Sequence, residues 1–413
     1  MRWFQKFLIL LILFLTPLIP QINNFGFEHI KVLFFVLIFL VLLSLWSISS
    51  LKHKYKIIFN RTSKLGLIFL IVLFFSSIFG INSAESLVGR YPYFQGFIIY
   101  LFLYLFYLLI VSLEMKILPI VMTITLSALI VSLVAISQWI LIYLFGVNLP
   151  TYAGRVVSTF GQPNLYSGFL LLTLPLLYFL INCKNKKLKV LGLSGGVASI
   201  VAIILSSSRA SILILCGSLL AWFLFKLKFS IRQTIIFITL TSVTILSGAI
   251  YFKSGVVWQE FMGLSDKQWL ISNSPEKRVV IWQIFIDLIS KRPLLGYGLD
   301  NIDSAYQNFF AKVDFNSNRN PYYYTLKNTF VNRTHSYFLD ILMFSGILGL
   351  LSYLIFLMYI FKKTKGSILF IWLIIYLFWI SIQIQSIVHL MLFWVVVALA
   401  KSKEQLVLDK GIL

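Results

Sequence analysis

Residues 332–349 read NRTHSYFLDILMFSGILG. A polar start gives way to an apolar run, and Arg333, His335 and Asp340 stand at the changeover. An imidazole titrates near neutrality, so it can take up or release a proton at physiological pH. The chain has only 4 histidines and 13 acids in 413 residues. Placing one of each at the mouth of an apolar helix marks either chance polar residues at an interface or a reaction site. On a regular helix five residues turn the chain by about 500°, which leaves Asp340 roughly 140° from the face of His335. The two are therefore not expected to act as a direct dyad.

Three arginines stand in distinctive stretches: Arg90 in VGRYPYFQG, Arg155 in AGRVVSTFGQPN and Arg209 in SSSRASIL. Guanidinium is permanently charged and presents a planar fork that matches phosphate or carboxylate oxygens two at a time. At a membrane boundary such a group either serves a bound anion or reaches the lipid headgroups. STFGQPN (158–164) reads as a helix start, with Pro163 in the first turn and Gln162 or a nearby hydroxyl as cap. Its free N–H groups would suit an anion, or would belong to an ordinary capped membrane helix.

Hydrophobic residues make up 60% of the chain and charged residues 12%. A globular chain is about a quarter charged. Apolar runs long enough to cross a bilayer of about 30 Å recur from end to end, whereas the alternating segments of a β-barrel do not. The predicted class is an all-α polytopic membrane protein with about twelve spans. They fall near 7–22, 30–48, 65–81, 96–113, 117–145, 165–182, 190–206, 210–225, 233–252, 335–361, 367–382 and 385–400. Arg2 and Lys6 precede the first run as in a signal peptide, but no small-x-small cleavage site follows, so it is assigned as the first span. Cys183 and Cys216 have neither metal spacing nor a disulfide pattern and are assigned to packing.

The formal charge of +22 does not point to nucleic acid, because the positives cluster in short loops between spans. With the N-terminus inside, the cytoplasmic segments hold twenty-one of the 35 basic residues, and the short outer loops hold Lys31, Arg90, Arg155 and Arg209. The remainder lie in one long outer loop, which does not bear on orientation. Both termini are expected in the cytoplasm. The organisation is then 1–252, nine spans; 253–334, an outer loop; and 335–413, three spans and a short tail. The cytoplasmic loops are short and lysine-rich, without a Walker A or G-x-G-x-x-G pattern, so the chemistry is assigned to the outer side.

The outer loop is expected to contain its own helix, with Ser274 as cap, Pro275 at the first position and Glu276 in the first turn. Val279, Trp282, Phe285, Ile286 and Ile289 form an apolar stripe, and Pro293 with Gly296 and Gly298 ends the helix. Arg278 lies one turn from the start, where it can point into an outer cavity. The aromatic and polar stretch that follows fits either a carbohydrate-lining surface or an interfacial aromatic belt.

These stretches resemble the O-antigen ligase and O-antigen polymerase superfamily of bacterial membrane glycosyltransferases, from about residue 85 to 400. His335 and Ser336, nine residues, then Gly346 and Gly349 match the His motif of the ligases. Arg209 through Leu213 matches an Arg-x-x-x-Leu motif, and Arg278 fits the place of a further loop arginine. STFGQPN is similar to the superfamily's TFG-x-PN stretch.

The resemblance implies a GT-C-like fold in the bacterial cytoplasmic membrane. It implies transfer of a glycan from an undecaprenyl-diphosphate-linked donor to a hydroxyl on a glycan, lipid or protein acceptor at the outer face. On that reading Arg209 and Arg278 stabilise the leaving diphosphate, with Arg155 and Arg90 as further candidates, and His335 receives the acceptor proton or holds the acceptor in line. Gln162, Asn164 and Ser336 complete the expected binding residues. Permanent cations would make a metal unnecessary, in keeping with the lack of an Asp-x-Asp pair, and no cofactor is expected. Gly346 and Gly349 share a face and would let a neighbouring helix approach.

The motifs do not separate a ligase from a polysaccharide polymerase or a protein O-oligosaccharyltransferase. A flippase or transporter is the rival from another class, with Gln383 and His389 as its nearest approach to a pathway. A non-enzymatic assembly partner is a further alternative.

Overall fold

A computed structural model describes residues 2–21, 28–53, 58–226, 274–313, 331 and 333–400. Within them the chain is mostly helical and no strand occurs. The helices of the first half are α1 (Arg2–Leu15), α2 (His29–His53), α3 (Arg61–Ile78), the short α4 (Ser83–Val88), α5 (Phe97–Ser112), α6 (Ile117–Tyr143), α7 (Pro163–Ile181), α8 (Lys186–Leu205) and α9 (Arg209–Lys226). Those of the second half are α10 (Ser274–Lys291), α11 (Ile302–Phe310), α12 (Tyr337–Thr364), α13 (Ile368–Ile382) and α14 (Ile387–Leu399).

Among the described residues six helices, namely α2, α3, α6, α7, α8 and α12, are long and apolar enough to cross a membrane, and four more apolar helices are shorter. Helices occur at all the expected spans except 233–252, which lies outside the described residues, as do 253–273, 314–330 and the tail from 401.

Helix α14 sits at the centre, with every residue buried. It packs against α5 and α7, and Trp394 meets the rings of Tyr104, Tyr107 and Phe356. Its start is fixed by a capping box in which Ser386 and His389 satisfy each other's backbone N–H groups. His389, buried and stacked on Trp379, is thus the cap of the central helix. The outward faces stay apolar: Leu193, Val197 and Ile204 on α8, and Leu351, Ile355 and Met358 on α12, are exposed. A bundle surrounded by hydrocarbon has this inside-and-outside apolarity, with backbone polar groups satisfied within helices.

Two local expectations are corrected. The buried face of α10 is Ile281, Ile284, Phe285 and Leu288, while Ile286 of the predicted stripe is exposed. The helix packs on α12 and α11, so the neighbours that cover it select the face. The close approach at Gly346 is made by the segment after α10, not by a helix. Gly346 has φ +60° and ψ −162° and breaks the helical path of α12. Met343 O accepts from Tyr297 N at 2.8 Å and Phe344 O from Gly298 N at 2.9 Å, while Ile347 N donates to Pro293 O at 2.7 Å. The segment after α10 thereby takes over bonds the helix would make with itself. Ser76 of α3 joins the same knot, donating to Leu295 O at 2.8 Å and to Phe344 O. A Cβ on Gly349 would meet the Ser345 side chain of its own helix.

Candidate active site at one end of the bundle

His335 lies in the short loop that enters α12, and its φ of +60° is left-handed. Such a conformation costs a non-glycine residue about 1–2 kcal/mol, so surrounding bonds must hold it. Asp340, in the first turn of α12, accepts from Thr334 N at 2.8 Å. Thr334 Oγ1 donates to Ser336 O at 2.7 Å and accepts from Ser336 N at 3.1 Å. Trp282 of α10 donates its indole N–H to Thr334 O at 2.7 Å. His335 is therefore flanked on both sides by fixed peptide groups, and is itself half-buried. Asp340 serves the residue before His335, in line with the expectation that it is no direct partner. Ser336 is the N-cap residue of α12, but its side chain makes no capping bond.

Two residues before the histidine, Arg333 is 4% exposed and pairs through Nη2 with Asp300, also 4% exposed. Its guanidinium lies 4.8 Å from the ring centre of Tyr93 and 5.2 Å from that of Phe344. Asp300 Oδ2 accepts from Arg90 N and Gln95 N, both at 2.9 Å. Gln95 continues the network to the start of α14 by donating to Gln385 O at 2.9 Å. Burial pulls the Arg333 pKa down, but Asp300 and Asp340 outweigh it and the net shift is upward. Burial pushes the Tyr93 phenol up against the pull of Arg333, with Glu28, Tyr152 and Asp340 also acting on it. Sequence reasoning noted Arg333 and gave it no role, and it missed Asp300, Gln95 and Tyr93.

Arg155 is half-buried in a tight turn, its backbone paired both ways with Tyr152 at 3.0 and 3.1 Å. Beyond it, Gln138 Oε1 accepts from Val157 N and Ser158 N at 3.0 and 2.9 Å. Gly161, at φ +70°, turns the chain into α7 where a Cβ would overlap the Gln21 side chain. Pro163 is the first helical residue, as expected. Gln162 is the cap position without a side-chain cap bond, and its Oε1 is buried with no hydrogen-bond partner. Asn164 is half-buried in the first turn.

Lys31, expected as an outer-loop charge, is 1% exposed. It donates to Ile19 O at 2.6 Å and Thr159 O at 3.2 Å and lies over the Phe160 ring. It ties the end of α1 to the TFGQPN turn. Glu28 accepts from Ile387 N, at the start of α14, at 2.8 Å. Burial raises its carboxyl to about 7, against the pull of Lys31.

Arg209 begins α9 and is exposed. Its serine-rich turn is built by Ser206 Oγ accepting from Ser208 N at 3.0 Å, and Ser211 meets Ser167 of α7 at 2.7 Å. Arg209 is thus brought beside the helix start that carries Gln162 and Asn164. Arg278 lies on α10, the helix whose Trp282 holds the histidine loop; its side chain is outside the described residues. Arg90 pairs with Asp303 at 3.3 Å and Glu85 at 3.5 Å, so its fork is already engaged by carboxylates. Among the described residues no cluster of metal-ligating side chains occurs.

Residues 194–354 match a family model described as O-Antigen ligase. The matched segment runs from α8 into α12 and contains Arg209, Arg278, Asp300, Arg333, His335 and both glycines of the His motif. No curated protein matches the chain. Through that segment the chain is similar to the O-antigen ligase family, and its apolar helices are those of a membrane protein.

Proposed function

We propose that the protein transfers a glycan from an undecaprenyl-diphosphate donor to an acceptor hydroxyl at the outer face of the bacterial cytoplasmic membrane. In this reading the fold is GT-C-like, with twelve spans in the three regions 1–252, 253–334 and 335–413 and both termini inside. The observation that carries the reading is His335 held in a strained conformation inside the O-antigen ligase match. Strain of this kind persists where the surroundings enforce it, and it clusters at functional sites.

The acceptor oxygen attacks the anomeric carbon, the bond to the diphosphate breaks, and undecaprenyl diphosphate leaves with the electron pair. His335 takes the hydroxyl proton. Arg209 and Arg278 stabilise the charge that grows on the diphosphate, and Arg155, Gln162, Asn164 and Ser336 orient substrate. Arg333 is a positioning residue: its carboxylate partner and aromatic sandwich make it a strut beneath the histidine loop.

The test is glycan transfer in proteoliposomes given a lipid-linked oligosaccharide and a hydroxyl acceptor, with the product read by mass spectrometry. His335→Ala and Arg209→Ala should each lose transfer by about a hundredfold or more while the protein remains folded. A folded His335→Ala protein with normal transfer would remove the base from the scheme. Movement of intact lipid-linked glycan across the bilayer without any new glycosidic bond would replace enzyme by flippase.

A further inference from the structure

Between α4, the following turn and α11 lies an open cavity of about 390 Å3, lined by Asn82, Arg90, Asp303, Ser304, Gln307 and Asn308, with Ile81 as its apolar contribution. Ligand sites of small molecules begin at about this size. The lining is rich in amides and hydroxyls. The side chains of Gln307 and Asn308 are exposed and make no hydrogen bond among the described residues. Arg90 Nη1 donates to Ser304 Oγ at 2.8 Å, which fixes the fork along one wall. Asp303 is buried with its Oδ1 lacking a hydrogen-bond partner.

Charge decides the ligand class. Arg90 contributes one positive charge, and Asp303 and Glu85, both in ion-pair contact with it, contribute two negative ones. A phosphate or diphosphate entering here would meet carboxylates that already hold the guanidinium. A sugar ring brings vicinal hydroxyls that both donate and accept, which is what planar amides, a carboxylate and a guanidinium edge can pair with. The cavity is also coupled to the reaction end, because Arg90 N and Arg333 Nη2 share the Asp300 carboxylate.

We propose that this cavity is a saccharide subsite for an uncharged or amino sugar unit of the transferred or accepting glycan, separate from any diphosphate site. The proposal deepens, and rests on, the glycan-transfer reading above. The subsite holds a sugar at a fixed remove from His335 and so sets which unit of the chain meets the base.

The experiment uses the full chain in nanodiscs and saturation-transfer NMR with neutral maltose-series and N-acetylglucosamine-series oligosaccharides, and pyrophosphate as the charged probe. Wild type should bind at least one neutral series, and excess pyrophosphate should not displace it. Asn308→Trp, on the exposed side of α11, fills the cavity and should weaken saccharide binding by about tenfold or more; Gln307→Ala should weaken it less. In transfer assays Asn308→Trp should raise KM at nearly constant kcat. A rise for the acceptor assigns the subsite to the acceptor glycan, and a rise for the donor assigns it to the donor glycan. The proposal is overturned if no neutral series binds at millimolar concentration, if pyrophosphate competes, or if Asn308→Trp leaves both binding and KM unchanged. Wild-type transfer with an indifferent Asn308→Trp sinks the subsite alone. Saccharide binding lost in Asn308→Trp, with no transfer by wild type, sinks the transfer reading alone.

Discussion

Removing the carboxylate at Asp300 should cost more than removing the arginine it pairs with. Asp300→Ala takes the counter-charge from Arg333, a guanidinium only 4% exposed, and it strips the acceptor from the N–H groups of Arg90 and Gln95. Breaking a buried ion pair from one side costs about 3–5 kcal/mol. With two backbone donors also losing their acceptor, about 4 kcal/mol or more is expected. At about 2 °C per kcal/mol this is a fall of roughly 8 °C in Tm. Arg333→Met leaves the carboxylate with its two backbone donors and fills the slot between Tyr93 and Phe344 with an apolar chain, so about 2 kcal/mol is expected. The double variant should resemble Asp300→Ala alone, because the pair is lost only once. The assay is thermal unfolding of detergent-purified protein followed by tryptophan fluorescence, run on the two single variants and the double. If Arg333→Met costs as much as Asp300→Ala, or the two losses simply add, Asp300 is not the node described here.

Gly346→Ala places a Cβ 2.6 Å from Pro293 O and against the Leu294 carbonyl, at a φ/ψ that only glycine adopts freely. A loss of about 3 kcal/mol or more is expected, seen as a lower Tm, and an unchanged Tm would mean the break in α12 is not imposed by the segment after α10. Trp282→Phe removes the donor to Thr334 O while keeping the ring. It should lower kcat several-fold with KM and Tm nearly constant, and a change confined to KM would contradict a positioning role. Glu28 holds its proton up to about 7 in the folded state, against an ordinary value of 4.5. The folded form then binds more protons between those limits, so stability should fall as pH rises from 4.5 to 7. Glu28→Gln should remove that slope, read as Tm against pH, and a slope that survives assigns it to other groups.

The bundle was legible because apolar runs separated by lysine clusters leave few choices in a bilayer. The TFGQPN turn was legible too: proline suits the first turn of α7, and glycine suits the φ of +70° at position 161. His335 stood out by its rarity and its place at a polar-to-apolar boundary. The strut beneath it did not, because Asp300 and Arg333 are 33 residues apart with an aromatic stretch between them, and nothing local marks a carboxylate as a partner across that distance. Of the expected stripe on α10, Phe285, Trp282 and Ile289 do pack on the core, and Ile286 was misplaced because hydrophobic spacing reports which residues can be covered, whereas α11 and α12 determine which are. Arg90 stood out as a permanent cation, and its carboxylate neighbour Asp303 comes from a different part of the chain.

The exchange of backbone bonds between 293–298 and 343–348 ties the segment after α10 to the first half of α12 peptide by peptide. Beyond its glycines and the Ser76 hydroxyl the splice has no side-chain code, so hybrids that exchange residues 293–298 alone should fold only when 343–348 and Ser76 travel with them.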